Sequence, residues 1–192
     1  IIDLHKAGYI EVMGTCKKSL MEFYNKQGYK AFFITNKVSD IDKKIVTKKK
    51  ESEKKIIGIY AAKCDDWRKN MYSQMAAVKL IDNAVIDMVP LNEQAKEFAK
   101  QYGIEMTGVE KSIPREELMK RAAKNDVNLY VTFSECAPML PLESMELGVP
   151  CITGNNHHYF KGRDIEKYIV VNNESDVEGM KEKIIKCMEN KE

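Results

Sequence analysis

From residue 56 onward the chain alternates short apolar runs with longer periodic stretches, and this alternation limits the fold more than any single motif does. Residues 56–61, 84–89, 104–107, 127–133, 149–153 and 168–171 read as buried strands. Residues 69–82, 93–101, 114–124, 141–147 and 175–188 carry apolar positions at helical spacing. In the first of these, Met71, Met75, Val78 and Leu80 are expected on one side. Pro90 stops a strand. Gly103 sits where a left-handed cap ends a helix. Pro114 opens the next helix at its first position, and Ser175 is the candidate cap of the last. Strands alternating with helices of this length predict an α/β, Rossmann-like, doubly wound and mostly parallel sheet, covered on both faces. Ligands of such sheets sit at the carboxyl ends of the strands, near a topological switch point. The segments to inspect are therefore 62–69, 89–92, 108–113, 134–141 and 153–158.

The earlier residues are less regular. Residues 9–13 and 31–34 read as strands around a helix over 16–26 that Gly28 ends. A polar stretch then runs to residue 55, which divides the chain into residues 1–38, a polar linker or hairpin over 39–55, and a domain over 56–192. Lys43, Lys44, Lys48, Lys49, Lys50, Lys54 and Lys55 crowd the linker. Solvation explains them, and contact with anionic lipid is the alternative. Net charge is +2, from 31 Lys and Arg against 29 Asp and Glu, too balanced to mark a nucleic-acid binder. No apolar run approaches the about 20 residues of a membrane span, and no signal peptide is visible. Five cysteines, an odd number without a C-x-x-C pair, fit reduced thiols in a cytoplasm. The first residue is Ile1, so a start further upstream is expected.

Residues 134–156 carry the chemistry. Glu135 follows a strand end and Glu143 falls in the first turn of the next helix, so a strand–loop–helix brings both carboxylates to one side of a pocket. The backbone between them presents N–H groups at a helix start, an anion site by its orphan donors and dipole. Two glutamates beside a phosphate site make sense if they face neutral hydroxyls, since a carboxylate accepts two hydrogen bonds from a vicinal diol. The ligand implied has phosphates in the middle and a sugar at each end.

Glu135 and Glu143, with seven residues between them, followed by Ser144-Met-Glu-Leu-Gly-Val-Pro150, resemble the E-x7-E motif and G-V-P tail of glycosyltransferase family 4 and its GT-B relatives. The resemblance implies that residues 56–192 are the C-terminal, nucleotide-sugar-binding half of a GT-B fold. It also implies that residues 1–38 are the tail end of the N-terminal, acceptor-binding domain or an interdomain segment. Matched position by position, Glu143 would hold the ribose, Glu135 the donor sugar, and the backbone near Met139 and Leu140 the diphosphate. Residues 62–70 resemble the family's strand-end Gly-Arg followed by a Lys at the next helix start. Lys63 stands for the Arg, and Arg68 or Lys69 for the Lys, with Lys69 favoured because Asn70 then takes the place of the following Gly. Ala137 and Ala62 depart from the pattern. The base is expected on strand-end backbone in residues 108–113, with Val109 as candidate.

The activity implied is transfer of a sugar from a nucleotide-diphosphate sugar to an acceptor hydroxyl with retention of configuration. Lys63 and Lys69 would stabilise the departing diphosphate beside Glu135, so no metal and no cofactor beyond the donor is expected. The acceptor, a glycan or lipid-linked molecule, would meet an N-terminal domain missing from these residues, and peripheral membrane association would suit it. The alternative is a non-catalytic Rossmann-like module that binds a regulatory nucleotide or a protein. A GT-B epimerase or phosphorylase is a third option. Asp40-Ile41-Asp42, Asp65-Asp66 and His157-His158 are taken as structural rather than metal-binding. Trp67 is expected to pack half-buried at a helix start, with stacking on a base or sugar as the alternative.

Overall fold

The computed structural model describes residues 1–34, 36–38, 41, 45, 53–60 and 66–189. Lys63, Asp40, Asp42, Asp65, Cys64 and most of the lysine cluster lie outside the described residues.

The main sheet has six strands: β3 (Lys55–Ile59), β4 (Ala84–Met88), β5 (Glu105–Gly108), β6 (Val127–Tyr130), β7 (Cys151–Gly154) and β8 (Val170–Val171). All pairings are parallel, in the spatial order β5-β4-β3-β6-β7-β8. Chain order reverses direction between β3 and β6, so the crevice at their carboxyl ends is the switch point of a doubly wound fold. Helices cover both faces. On one side α3 (Met71–Lys79) and α8 (Val177–Glu189) pack with Ile57, Ile59, Val127, Leu129 and Ile152. On the other, α5 (Arg115–Ala122) and α6 (Leu140–Glu146) pack Met119, Leu140 and Leu147 with Ile41 and Ile45. A further helix, α4 (Glu93–Tyr102), lies between β4 and β5 in the chain and packs on α3.

The strand period of two assigns the faces. Ile57 and Ile59 in β3, and Val127 and Leu129 in β6, enter the α3–α8 core. The alternate residues Gly58, Asn128 and Tyr130, with Tyr60 just past β3, turn to the α5–α6 side, where the chemistry is polar.

A second, two-stranded parallel sheet pairs β1 (Met13–Thr15) with β2 (Ala31–Phe33). The α1 turn (Ile2–Lys6) precedes it and α2 (Lys18–Lys26) joins its strands. Asn25 clips β2 to α2, because its amide donates to the Ala31 carbonyl and its side-chain oxygen accepts the Ala31 N–H. Ile1, Tyr9, Phe23 and Phe32 in this region are more than half exposed or close to it.

Several boundaries differ from the sequence expectation. The first strand begins at Met13 rather than covering 9–13, since the Tyr9 and Ile10 N–H groups both turn back to the Leu4 carbonyl. Residues 168–169 belong to a helical turn, α7 (Glu166–Ile169), and only Val170–Val171 is strand. The cap of α8 is Asp176, whose carboxylate accepts the Gly179 N–H at 2.9 Å, and not Ser175. Pro114 is the residue before α5 rather than its first. Leu80 is 42% exposed, because it lies two residues beyond Val78 and so rotates off the Met71–Met75–Val78 face. Gly103 caps α4 in the left-handed region, at φ 62°.

Candidate active site at the switch point

The floor of the crevice is a polar chain that begins on α5 and ends on α6. Arg121 pairs with Asp87, which is 3% exposed at the end of β4. The Tyr60 hydroxyl donates to the second Asp87 oxygen at 2.5 Å. Asn125 donates to the Tyr60 oxygen at 2.7 Å and to the Asn128 oxygen at 2.8 Å. Asn128 in turn donates to Ser144 at 2.8 Å, and Ser144 donates to the Val149 carbonyl at 2.7 Å. Burial and the neighbouring Asp87 carboxylate push the Tyr60 phenol far up, so it stays a donor. Buried polar groups are tolerated here because each has its partner. The chain ties β3, β4 and β6 to Ser144, and so holds α6, including Glu143, against the sheet.

Above this floor stand three groups from separate segments. A single 3-10 turn, Trp67–Lys69, is capped by Asp66 and brings Lys69 over the crevice. Lys69 Nζ donates to Glu135 Oε2 at 2.9 Å and to the Tyr130 hydroxyl at 3.3 Å. The Tyr130 hydroxyl donates to the same glutamate oxygen at 2.8 Å, and the Cys136 N–H donates to the other at 3.1 Å. Burial alone raises the Glu135 carboxyl, but these donors outweigh it and hold it below the usual glutamate range. Glu135 is therefore an ionised acceptor, not an acid. Arg68 turns away, gripping Asp66 with two guanidinium nitrogens at 2.9 and 2.8 Å. Of the two cations the sequence left open, Lys69 is the one that meets Glu135.

The backbone that delivers Lys69 is locked. Asn70 stands in the left-handed region at φ 51°, the conformation that glycine takes most readily and that asparagine tolerates. This is the physical ground for its replacing a glycine. Gln74 is fully buried; its amide donates to the Lys69 and Asn70 carbonyls and its oxygen accepts the Val131 N–H at 3.0 Å. The Asn70 amide reaches the Glu174 carbonyl at 2.6 Å.

Glu143, fourth residue of α6, is 7% exposed. Arg115 approaches it with Nε at 2.8 Å and Nη2 at 2.7 Å, both on Oε1. Met139 caps α6, and buried Leu140 is its first residue. Val109 has its N–H on the Met88 carbonyl and its carbonyl on the Leu91 N–H, so its N–H is committed to the fold. Trp67, the chain's one tryptophan, is 72% exposed on the rim rather than half-buried. It lies beside Phe133, with ring centroids 6.2 Å apart.

His157 is 2% exposed and both ring nitrogens are engaged. Nδ1 accepts the Tyr159 N–H at 3.3 Å, so the proton sits on Nε2, which donates to Thr153 Oγ1 at 2.6 Å. Burial and the adjacent His158 push its pKa down to about 4. It is a neutral structural histidine. Among the described residues no group of three or more His, Cys, Asp or Glu is placed to hold a metal ion.

Tyr130, Arg115 and Gln74 were missed by sequence reasoning. Tyr130 left one trace: polar residues at 128 and 130 interrupt an otherwise apolar strand on a single face. Nothing local marked Arg115, whose partner lies 28 residues away, or the Gln74 oxygen, whose partner lies 57 residues away.

Basic and acidic groups gather at the switch point of a doubly wound parallel α/β sheet, where ligands of such folds bind. The chain belongs to the family of glycosyl transferases group 1, which it matches over residues 41–192. No curated protein sequence matches it. Among solved structures, sucrose-phosphate synthase from Thermosynechococcus elongatus superposes with a TM-score of 0.71 at 15% identity, covering 94% of this chain and 49% of the other. A UDP-forming α,α-trehalose-phosphate synthase from Burkholderia xenovorans gives 0.65 at 10% identity, over 94% and 54%. The catalytic domain of cholesterol-α-glucosyltransferase from Helicobacter pylori gives 0.58 at 16%, over 71% and 87%. The fold is thus that of the Rossmann-like domains of GT-B glycosyltransferases. The chain spans about half the length of the two synthases.

Proposed function

We propose that the crevice between β3 and β6 binds a nucleotide-diphosphate sugar, and that the chain is the donor-binding part of a retaining glycosyltransferase. The observation that carries this reading is the Lys69–Glu135–Tyr130 cluster over the switch point, with Glu143 on the adjoining helix. Lys69 and Glu135 neutralise each other. A diphosphate takes Lys69, and the Glu135 carboxylate, still held by Tyr130 and the Cys136 N–H, turns to donor-sugar hydroxyls. Arg115 occupies one oxygen of Glu143 and leaves the other for a ribose hydroxyl. Met139 and Leu140 offer backbone N–H groups to the phosphates. Positive charge then meets the leaving group where negative charge develops, which is transition-state stabilisation without a metal ion. Lys63 would supply a second cation.

On this reading residues 1–38 are the end of an acceptor domain, and the acceptor is a glycan or lipid-linked hydroxyl. The protein works without a further cofactor on the cytoplasmic side, at a membrane face where the acceptor is a lipid. Among the described residues no helix is long and apolar enough to cross a membrane. Calorimetric titration of residues 1–192 with UDP, GDP and ADP tests the donor site. One of them should bind, Glu143→Ala should weaken it at least tenfold, and the 192 residues alone should transfer no sugar. Binding of none, or an indifferent Glu143→Ala variant, would sink the reading.

A further inference from the structure

The turn that brings Lys69 to the crevice also presents Trp67. Its loop runs beside the loop that follows β6, and the two are pinned where the Phe133 N–H donates to the Arg68 carbonyl at 2.8 Å. Just past that bond in both loops, Lys69 meets Glu135 at 2.9 Å. Just before it, Trp67 lies beside Phe133, with ring centroids 6.2 Å and planes 33° apart. Each loop thus carries an aromatic ring and, two residues later, one member of an ion pair. At most roughly 7 Å of backbone separates ring from ion in either loop, a distance that one hexose with its hydroxyls spans.

Both rings reach solvent, Trp67 at 72% exposure and Phe133 at 38%. The backbone beneath Trp67 is fixed. Asp66 caps the turn and holds the Arg68 guanidinium at 2.9 and 2.8 Å, Asn70 keeps its left-handed conformation, and Gln74 binds the Lys69 and Asn70 carbonyls. A ring on such a turn loses little freedom when a ligand covers it, so contact with it is not offset by ordering. The charges nearby select the occupant. An acyl chain or an apolar protein face laid on the rings would strip water from the Arg68–Asp66 and Lys69–Glu135 pairs, which is costly. A pyranose has a C–H face for an aromatic plane and a rim of hydroxyls that bond to carboxylates and cations.

We propose that Trp67, with Phe133 beside it, is the platform for the ring of the donor sugar: it takes the C–H face while Glu135 takes hydroxyls, and so sets affinity for the sugar rather than for the nucleotide. The proposal rests on the donor-site reading and deepens it. Calorimetry on residues 1–192 compares UDP, GDP and ADP with UDP-glucose, GDP-glucose and ADP-glucose. Glucose suits the test because its equatorial hydroxyls leave C–H groups on both faces. The titrations are run on the parent, on Trp67→Ala and on Trp67→Tyr. Trp67 is exposed, so both variants keep the fold, checked by an unchanged Tm.

For the nucleotide that the parent binds, Trp67→Ala should weaken the glucose conjugate about fivefold, the scale of one aromatic contact, and leave the nucleoside diphosphate unchanged. Trp67→Tyr keeps a ring and should hold the conjugate near the parent affinity. Equal weakening of conjugate and diphosphate means that the indole acts through the turn and Lys69, and overturns the proposal. An unchanged conjugate in Trp67→Ala overturns it too, as does a tyrosine variant as weak as the alanine one. The two readings fail separately. A parent that binds no nucleotide removes the donor site and this platform with it. A parent that binds one, with both ligands unaltered in Trp67→Ala, removes the platform alone.

Discussion

His157 shows how a single side chain sets a pH limit on this fold. Its pKa falls from 6.5 to about 4 in the folded chain, because burial penalises the charged ring and the adjacent His158 adds to the penalty. Between those values the unfolded chain binds a proton that the folded one refuses. Stability contributed by the neutral ring is complete above pH 6.5 and drains as pH falls toward 4. At about 1.4 kcal/mol per pKa unit the loss is on the order of 3 kcal/mol. Urea unfolding followed by circular dichroism at pH 7 and pH 5 should show a falling midpoint. In His157→Gln, which keeps a donor to Thr153 but cannot titrate, the fall should be smaller. An identical fall in both would mean that other groups carry it. Glu135 and Glu143 were legible as residues from their spacing and their surrounding string. Their partners were not, since the Lys69 pairing closes over 66 residues and the Arg115 pairing over 28.

Elements carry the positioning. The helix α6 is held from below by Ser144, and Ser144 by Asn128, so the carboxylate of Glu143 depends on a polar chain that begins at Arg121. Gly58 makes this chain possible. A Cβ there would collide with the amide groups of Asn125 and Asn128 and with the Tyr60 ring. Gly58→Ala should therefore cost about 1–3 kcal/mol by overpacking, read as a lowered urea midpoint with an unchanged slope. If the proposed donor site holds, the same variant should also weaken nucleotide binding, because α6 moves with Asn128. Loss of stability with full nucleotide affinity would show that α6 is held by other means. Most elements could be read from periodicity, and the errors were local. Ser175 and Asp176 are both good caps, and the choice between them turned on which carboxylate or hydroxyl reached Gly179. Residues 168–171 suit strand or helix equally. The Tyr168 N–H turned to Ile165, and the strand shrank to two residues. The strand order was not legible at all: parallel pairing depends on contacts between segments far apart in the chain, whereas alternation of type is local.

At the scale of the whole molecule, two sheets of unequal size meet at one place. The larger is closed on both faces by helices and has a continuous core. The smaller has two strands and leaves Tyr9 81% and Phe32 50% exposed. Asn36, just past the smaller sheet, links it to the larger by donating to the Ala137 carbonyl at 2.8 Å. Trp67 stands on the rim of the switch-point crevice, next to the residues that meet Glu135, and no other tryptophan competes with it. Its indole is already in water when the chain is folded. Intrinsic emission should therefore start red-shifted and change little on unfolding, so that fluorescence melts of this protein will be nearly blind. The same indole should be quenched or blue-shifted when a nucleotide sugar fills the crevice, giving an occupancy signal free of labels. Blue-shifted emission from the empty protein would place the indole elsewhere.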